Sequence, residues 1–313
     1  MVLAALLPFA SISAVTADHA CVSRFPAIPP AVVEQIQSQY RIFYGHTSHG
    51  SQIVTGMSMV LAESALYEFP SLTEYGSDLG SGGDLSWATV TREHLDQPGN
   101  TTNLVIWSWC GGVSYTDEAG INAYLNEMNV LEAEYLGVTF IYMTGHLDGG
   151  GPYGDLYLRN NQIRTFCTQH DKALFDFADI ESYDPDGVWY PDETDACAWC
   201  SDWCAIHTCP SCGDCAHSHC FNCYQKGKAF WWLLARLTGW NEEPCCTLRG
   251  DLISDGNIIV SDLVFLVSYL FRGGATPSCR DHADITSDSA VNVSDLTFLV
   301  NYLFRGGPFP GAC

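Results

Sequence analysis

Arg41-Ile42-Phe43-Tyr44-Gly45-His46-Thr47-Ser48-His49-Gly50-Ser51-Gln52 is the stretch that decides how the rest of the chain is read. Its first residues, apolar after Arg41, predict a short buried strand that stops at Gly45. From Gln52 onward Ile53, Met57, Val60 and Leu61 recur at helical spacing, so the segment between is a tight strand-to-helix turn. Such a turn lifts a hydroxyl to the carboxyl end of a sheet and aims it at the N–H groups of the next helix, where negative charge is favoured. His46, Thr47, Ser48 and His49 are gathered there. A helix cap at Thr47 or Ser48 would account for a lone hydroxyl. The two flanking histidines put a catalytic reading beside it.

Outward from this turn the pattern alternates. Residues 103–107 predict a strand running into Ser108-Trp109-Cys110-Gly111-Gly112. Residues 117–135, with Ile121, Leu125, Met128 and Leu131 three or four apart, predict an amphipathic helix. A strand over 138–143 ends at a glycine-rich loop holding His146, and a helix over 154–170 and a strand over 173–180 follow. Before the first strand, Pro29-Pro30 opens a helix. Strands alternating with helices imply a parallel sheet with right-handed crossovers, whose loops meet at one edge. The polar segments 46–50, 110–112, 145–151 and 179–186 all fall at that edge.

Thirteen Lys and Arg against 36 Asp and Glu give a net charge of −23, which repels phosphate backbones and excludes nucleic acid as a partner. Acidity of this order suits calcium or a salty exterior. Residues 1–17 form an apolar run ending in Ala14-Val15-Thr16-Ala17 and read as an export signal; Pro8 argues against a buried helix there. Asp18-His19-Ala20 before Cys21 is too polar for the usual lipid-attachment box. No later stretch reaches the ~18 apolar residues of a transmembrane span. The expected location is secreted or extracellular, attached to a surface. Fifteen cysteines in an exported chain mean disulfides, and the odd number leaves a thiol over.

Residues 197–223 hold Cys197, Cys200, Cys204, Cys209, Cys212, Cys215, Cys220 and Cys223 with His207, His217 and His219. Four C-x-x-C spacings fit zinc, and outside the cell they fit a disulfide-stapled loop better. Within it Asp214-Cys215-Ala216-His217 places a carboxylate three residues before an imidazole. That spacing lets an acid hold a histidine in one tautomer. Metal ligation by His217, or a functional His219, are the competing readings.

A serine on the first strand-to-helix turn, glycines after later strands and a D-x-x-H before the last helix resemble the SGNH or GDSL hydrolase family over roughly residues 39–240. The resemblance implies a flavodoxin-like, three-layer α/β domain spanning residues 18–241 and ester hydrolysis. It makes Ser48 the nucleophile, His217 the base and Asp214 its orienting acid, with the N–H groups of Ser48 and of Gly111 or Gly112 facing the oxyanion. His46-Thr47-Ser48 stands where the family has G-D-S. Gly145-His146-Leu147-Asp148 replaces its G-x-N-D block, so His146 takes the place of the asparagine donor.

From Gly250 onward a 33-residue repeat aligns Asp251, Asp255, Asn257 and Asp262 with Asp284, Asp288, Ala290 and Asp295. Acidic residues at positions 1, 5 and 12 of each loop suit a hard cation, position 7 giving its backbone carbonyl, so two calcium sites are expected. Position 3 is Ile253 in one loop and Thr286 in the other, and Ser289 replaces the turn glycine in the second. The pair resembles the type I dockerin domain, a small all-α module over 242–313. The resemblance implies a cohesin-like partner on a scaffold or surface. Cys246, Cys279 and Cys313, with Cys245, are candidates for disulfides that close it.

The reading that leads is a secreted SGNH-like serine esterase acting on an acylated polysaccharide. The alternatives are a non-catalytic, calcium-dependent structural or adhesive protein, and a metal-dependent hydrolase with His46, His49 and His146 as ligands.

Overall fold

The computed structural model describes residues 15–211, 213–241, 246–288, 290–311 and 313. Six parallel strands, β1 (Val15–Ala17), β2 (Arg41–Gly45), β3 (Ser71–Tyr75), β4 (Leu104–Trp107), β5 (Thr139–Met143) and β6 (Ala173–Phe175), form one sheet in the order β1-β6-β5-β4-β2-β3. The central strands β2, β4, β5 and β6 alternate their side chains between two apolar cores. Ile42, Tyr44, Ile106, Ile141, Met143 and Phe175 enter one; Phe43, Val105, Trp107, Phe140, Tyr142 and Leu174 enter the other.

Helices cover both faces. The first core takes residues from α1 (His19–Val22), α2 (Pro30–Gln39) and α3 (Ser51–Glu63), and the second from α4 (Ser86–Leu95), α5 (Glu118–Glu134) and α6 (Asp155–Gln169). Beyond β6 come α7 (Phe177–Ser182), α8 (Ala198–Ile206) and α9 (Cys220–Leu237), which returns to the first face. Along α9, Ala229, Phe230, Trp231, Leu233, Leu234 and Ala235 are all buried, which is why this helix is apolar nearly all round. It runs against α3 with Gly56 and Gly227 at the contact.

Several expectations shift. The strand expected over 173–180 ends at Phe175, because the Asp176 carboxylate accepts the Asp179 N–H and starts α7 instead. Strand β3 and helix α4 are additions: β3 is a largely exposed edge with no apolar alternation to announce it. Val15–Ala17, inside the expected export signal, pairs with 173–175, so cleavage after Ala17 would remove an edge strand. The remainder of that segment, the boundary residues 242–245, and Cys212, Cys245 and Ser289 lie outside the described residues.

The C-terminal part is helical: α10 (Val260–Arg272), α11 (Arg280–Ala283) and α12 (Val293–Arg305) around a core of Leu252, Leu266, Tyr269, Ile285, Val291 and Leu299. It abuts the sheet domain through Asp186. The Asp186 carbonyl accepts the Val291 N–H at 3.1 Å, and its carboxylate accepts the Tyr269 hydroxyl. Among the described residues no helix is long and apolar enough to cross a membrane.

Candidate active site

Strands β2 and β4 are neighbours, yet the chain leaves β2 for α3 on one face and β4 for α5 on the other. Two loops that part in this way open a crevice at the carboxyl ends of their strands, where open α/β sheets place ligands. Ser48 and His49 enter it from the turn after β2, Cys110 from the end of β4, and His146 from the end of β5. Asp195 and His217 come from the long excursion between α7 and α9.

The turn is built for this. A Cβ on Gly50 would stand 2.3 Å from the His46 Cβ and 2.4 Å from the Ser108 Oγ, so only glycine fits. The Thr47 N–H donates to Asp78 Oδ1 at 2.7 Å and its hydroxyl to Asp78 Oδ2, which pins the turn from outside. Helix α3 has no side-chain cap, so Ser48 is not spent as one. His46 is held between the Thr47 carbonyl at 3.0 Å and Glu74 at 2.9 Å.

Two nucleophile–imidazole pairs face each other. Ser48 Oγ lies 2.9 Å from His217 Nε2. Cys110 Sγ lies 3.2 Å from His49 Nδ1, whose Nε2 lies 2.9 Å from Asp195 Oδ2. Ser48 Oγ is 3.6 Å from the Cys110 sulfur, joining the pairs. The carboxylate accepts the His49 Nε2–H, which leaves Nδ1 with a lone pair directed at the thiol. Burial pushes His49 down to about 4 against the opposing bond to Asp195, so the ring is neutral at pH 7 and able to take a proton. Cys110 is exposed and free, whereas ten of the described cysteines are in disulfides.

His146 stacks on His49 at 3.7 Å, and His217 stacks on the same ring at 4.5 Å. His146 Nδ1 donates to the Leu147 carbonyl at 2.8 Å, which leaves the ring its Nε2. That Nε2 is buried with no partner among the described residues. Gly111, in the left-handed region at φ 75°, lies beside it: a Cβ there would stand 3.8 Å from that nitrogen. Gly112 starts the short turn 112–115 beside it.

Ser48 and His217, expected to meet, are in hydrogen-bond contact; Asp214, expected behind His217, is exposed and makes no bond to it. A bridge between Asp148 and Thr194, and the Asp195 N–H donating to the Leu147 carbonyl at 3.1 Å, bring Asp195 to the rim instead. Cys110 carried a faint signal, the odd cysteine count and a place at a strand's end. Asp195 carried none.

His49, Asp195 and His217 also offer one atom each within 4.8 Å of one another, a grouping able to meet a metal ion. Around them, the described cysteines of 197–223 are all disulfide-bonded, with Cys197–Cys200, Cys204–Cys209 and Cys215–Cys223 among the pairs, which leaves those sulfurs no thiolate for zinc.

In the C-terminal part, Asp284, Asp288 and Asp295 bring carboxylate oxygens within 4.8 Å of one another, a grouping that could hold a cation. At their described positions the two loops bond alike. Asp262 accepts the N–H groups of Ile253 and Ile259, as Asp295 accepts those of Thr286 and Asn292, and Ser254 and Ser287 both adopt positive φ. Residues 249–304 match the family model for the dockerin type I domain. The dockerin-type module is closed by the Cys246–Cys313 disulfide, and Cys279 is disulfide-bonded too. No curated protein matches the chain.

Proposed function

We propose that the sheet domain hydrolyses an acyl bond through a nucleophile at the carboxyl rim, and that the dockerin-type module tethers it to a cohesin-like partner outside the cell. The observation that carries the reading is the unbroken chain from Asp195 through His49 to Cys110. Asp195 orients His49; His49 Nδ1 takes the thiol proton; the sulfur attacks the carbonyl carbon, forming a C–S bond and a tetrahedral oxyanion. The N–H groups of Ser48, Gly111 and Gly112 are the proposed donors to that oxyanion. Collapse expels the alcohol, which takes its proton from His49. Water, deprotonated by the same ring, then cleaves the thioester.

The Ser48–His217 pair supports the serine esterase that the SGNH resemblance implies, and the strand order from β2 onward, equivalent to 2-1-3-4-5, is in keeping with a flavodoxin-like sheet. Among the described residues no carboxylate is hydrogen-bonded to His217, so the thiol is the better supported of the two nucleophiles. An acylated glycan is the proposed substrate class, by analogy with the tethering module.

A metal-dependent hydrolase is the second reading, favoured by the grouping of His49, Asp195 and His217. Against it, the His49 ring is within 13° of parallel to both neighbours, and the lone pairs of stacked rings lie in parallel planes and do not converge. In the module, Asp251, Asp255, Asn257 and Asp262, and Asp284, Thr286, Asp288, Ala290 (through its carbonyl) and Asp295, are the proposed calcium ligands.

Ester hydrolysis by Cys110→Ala, Ser48→Ala and chelator-treated protein separates these readings. Loss only in Cys110→Ala is the expected result. Loss only in Ser48→Ala establishes the serine, loss on chelation that calcium does not restore establishes the metal, and no hydrolysis by folded wild-type protein leaves a structural or adhesive role.

A further inference from the structure

Lys226, on α9, is fully buried, and its ammonium lies 3.6 Å from the centre of the Phe177 ring. It makes two hydrogen bonds, to Glu181 Oε1 at 2.6 Å and to Gln52 Oε1. Each acceptor passes the contact on to the rim. Gln52 Nε2 donates to the Ala216 carbonyl at 2.6 Å, next to His217, whose backbone is held in the left-handed region at φ 60°. Glu181 Oε2 accepts the Leu147 N–H at 2.7 Å. The Leu147 carbonyl in turn accepts His146 Nδ1 at 2.8 Å and the Asp195 N–H at 3.1 Å.

One arm therefore runs Lys226–Glu181–Leu147–Asp195–His49–Cys110, and the other Lys226–Gln52–Ala216–His217–Ser48. They close on each other across the 3.6 Å between Ser48 and Cys110. We infer that Lys226 is a positioning residue that fixes the spacing of the two nucleophile–imidazole pairs by tying their loops to one buried point. The inference rests on the thiol reading above.

A buried Lys–Glu pair is a weak way to stabilise a fold, since desolvation can exceed the attraction and an apolar pair of similar volume often serves as well. Here burial outweighs Glu181 and pushes the Lys226 ammonium down to about 8. What an apolar pair could not do is hold two separate loops by directed bonds, and that is the use these bonds have.

The test is the rate and pH midpoint of iodoacetamide alkylation of Cys110, followed by mass spectrometry, in wild type, Lys226→Met and the double variant Lys226→Met/Glu181→Gln. The double variant has no unpaired buried charge, and its amide oxygen can still accept the Leu147 N–H, so it keeps the comparison on folded protein. Expected are alkylation at least about tenfold slower in both, a shifted midpoint, and a melting temperature near wild type in the double variant. Alkylation of the double variant at the wild-type rate and midpoint would overturn the inference and leave Lys226 as the counter-charge of Glu181. His49→Ala is the control: if it does not change alkylation, the relay itself has failed, whereas a changed His49→Ala with unchanged lysine variants sinks the lysine alone.

Discussion

Gly56 of α3 and Gly227 of α9 meet backbone to backbone: a Cβ on Gly56 would stand 1.8 Å from the Cys223 carbonyl oxygen, and one on Gly227 would stand 2.2 Å from the Gly56 carbonyl carbon. This crossing sets the distance between the turn that carries Ser48 and His49, just before α3, and the His217 loop, just before α9 and joined to it by the Cys215–Cys223 disulfide. The neighbour in each case is backbone, which cannot swing aside as a side chain can. Gly56→Ala and Gly227→Ala are each expected to cost about 3 kcal/mol or more by overpacking, read as a fall in the urea midpoint. Gly137→Ala, where a Cβ meets nothing within 4 Å, is the control expected to melt as wild type.

Asp195→Asn keeps the shape of the side chain and removes its charge. The amide can present its N–H to His49 and favour the wrong tautomer, with the hydrogen on Nδ1 facing the sulfur. Turnover is expected to fall by about 10⁴, the loss when the acid of a nucleophile–histidine–acid relay becomes an amide, with the melting temperature little changed. Kinetics of Asp214→Asn alongside checks the assignment: that exposed carboxylate makes no bond to His217, and its loss should change the rate less than about twofold.

The sheet was legible where strands are buried on both sides, as in Ile42-Phe43-Tyr44 and Leu104-Val105-Ile106, because continuous apolar runs of that length have few other uses. It was not legible at Ser71-Leu72-Thr73-Glu74-Tyr75, an edge strand facing water, or at Val15-Thr16-Ala17, whose apolar character reads equally well as the tail of an export signal. In the site, Ser48 and His217 could be anticipated from their places after a strand and before a helix. Asp214 was chosen because it is near His217 in sequence, whereas the acid at the rim is set by loop-to-loop bonds such as that from Asp195 to Leu147, which leave no periodic trace. The dockerin-type module was the most legible part, since duplication at a fixed interval repeats every ligand position.

Burial holds His49 near 4, against 6.5 for an ordinary histidine. Between those two values the unfolded chain binds a proton that the native protein does not, so stability contributed by neutral His49 is present above about pH 6.5 and is lost as pH falls toward 4. Urea midpoints at pH 7 and pH 5 should therefore drop further in wild type than in His49→Gln. An equal drop in both would show that His49 titrates as it does in the unfolded chain.

Asp262→Ala and Asp295→Ala remove the last acidic position of each proposed calcium loop, and with it the acceptor of two backbone N–H groups per loop. Calcium at about 100 times its dissociation constant should raise wild-type stability by about 2.7 kcal/mol, because the ion binds the folded module and not the unfolded chain. Each variant should lose part of that gain in thermal melts with and without chelator. Identical melts of wild type in calcium and in chelator would remove the ion from the module.

The most direct measurement of the relay is intact-mass spectrometry of the protein quenched within seconds of mixing with an activated ester, with peptide mapping of the acylated residue. The expected result is a single acyl group on Cys110 in wild type that forms far more slowly in His49→Ala and Asp195→Asn. Acylation of Ser48, or of Cys110 at the same rate in all three proteins, would contradict it.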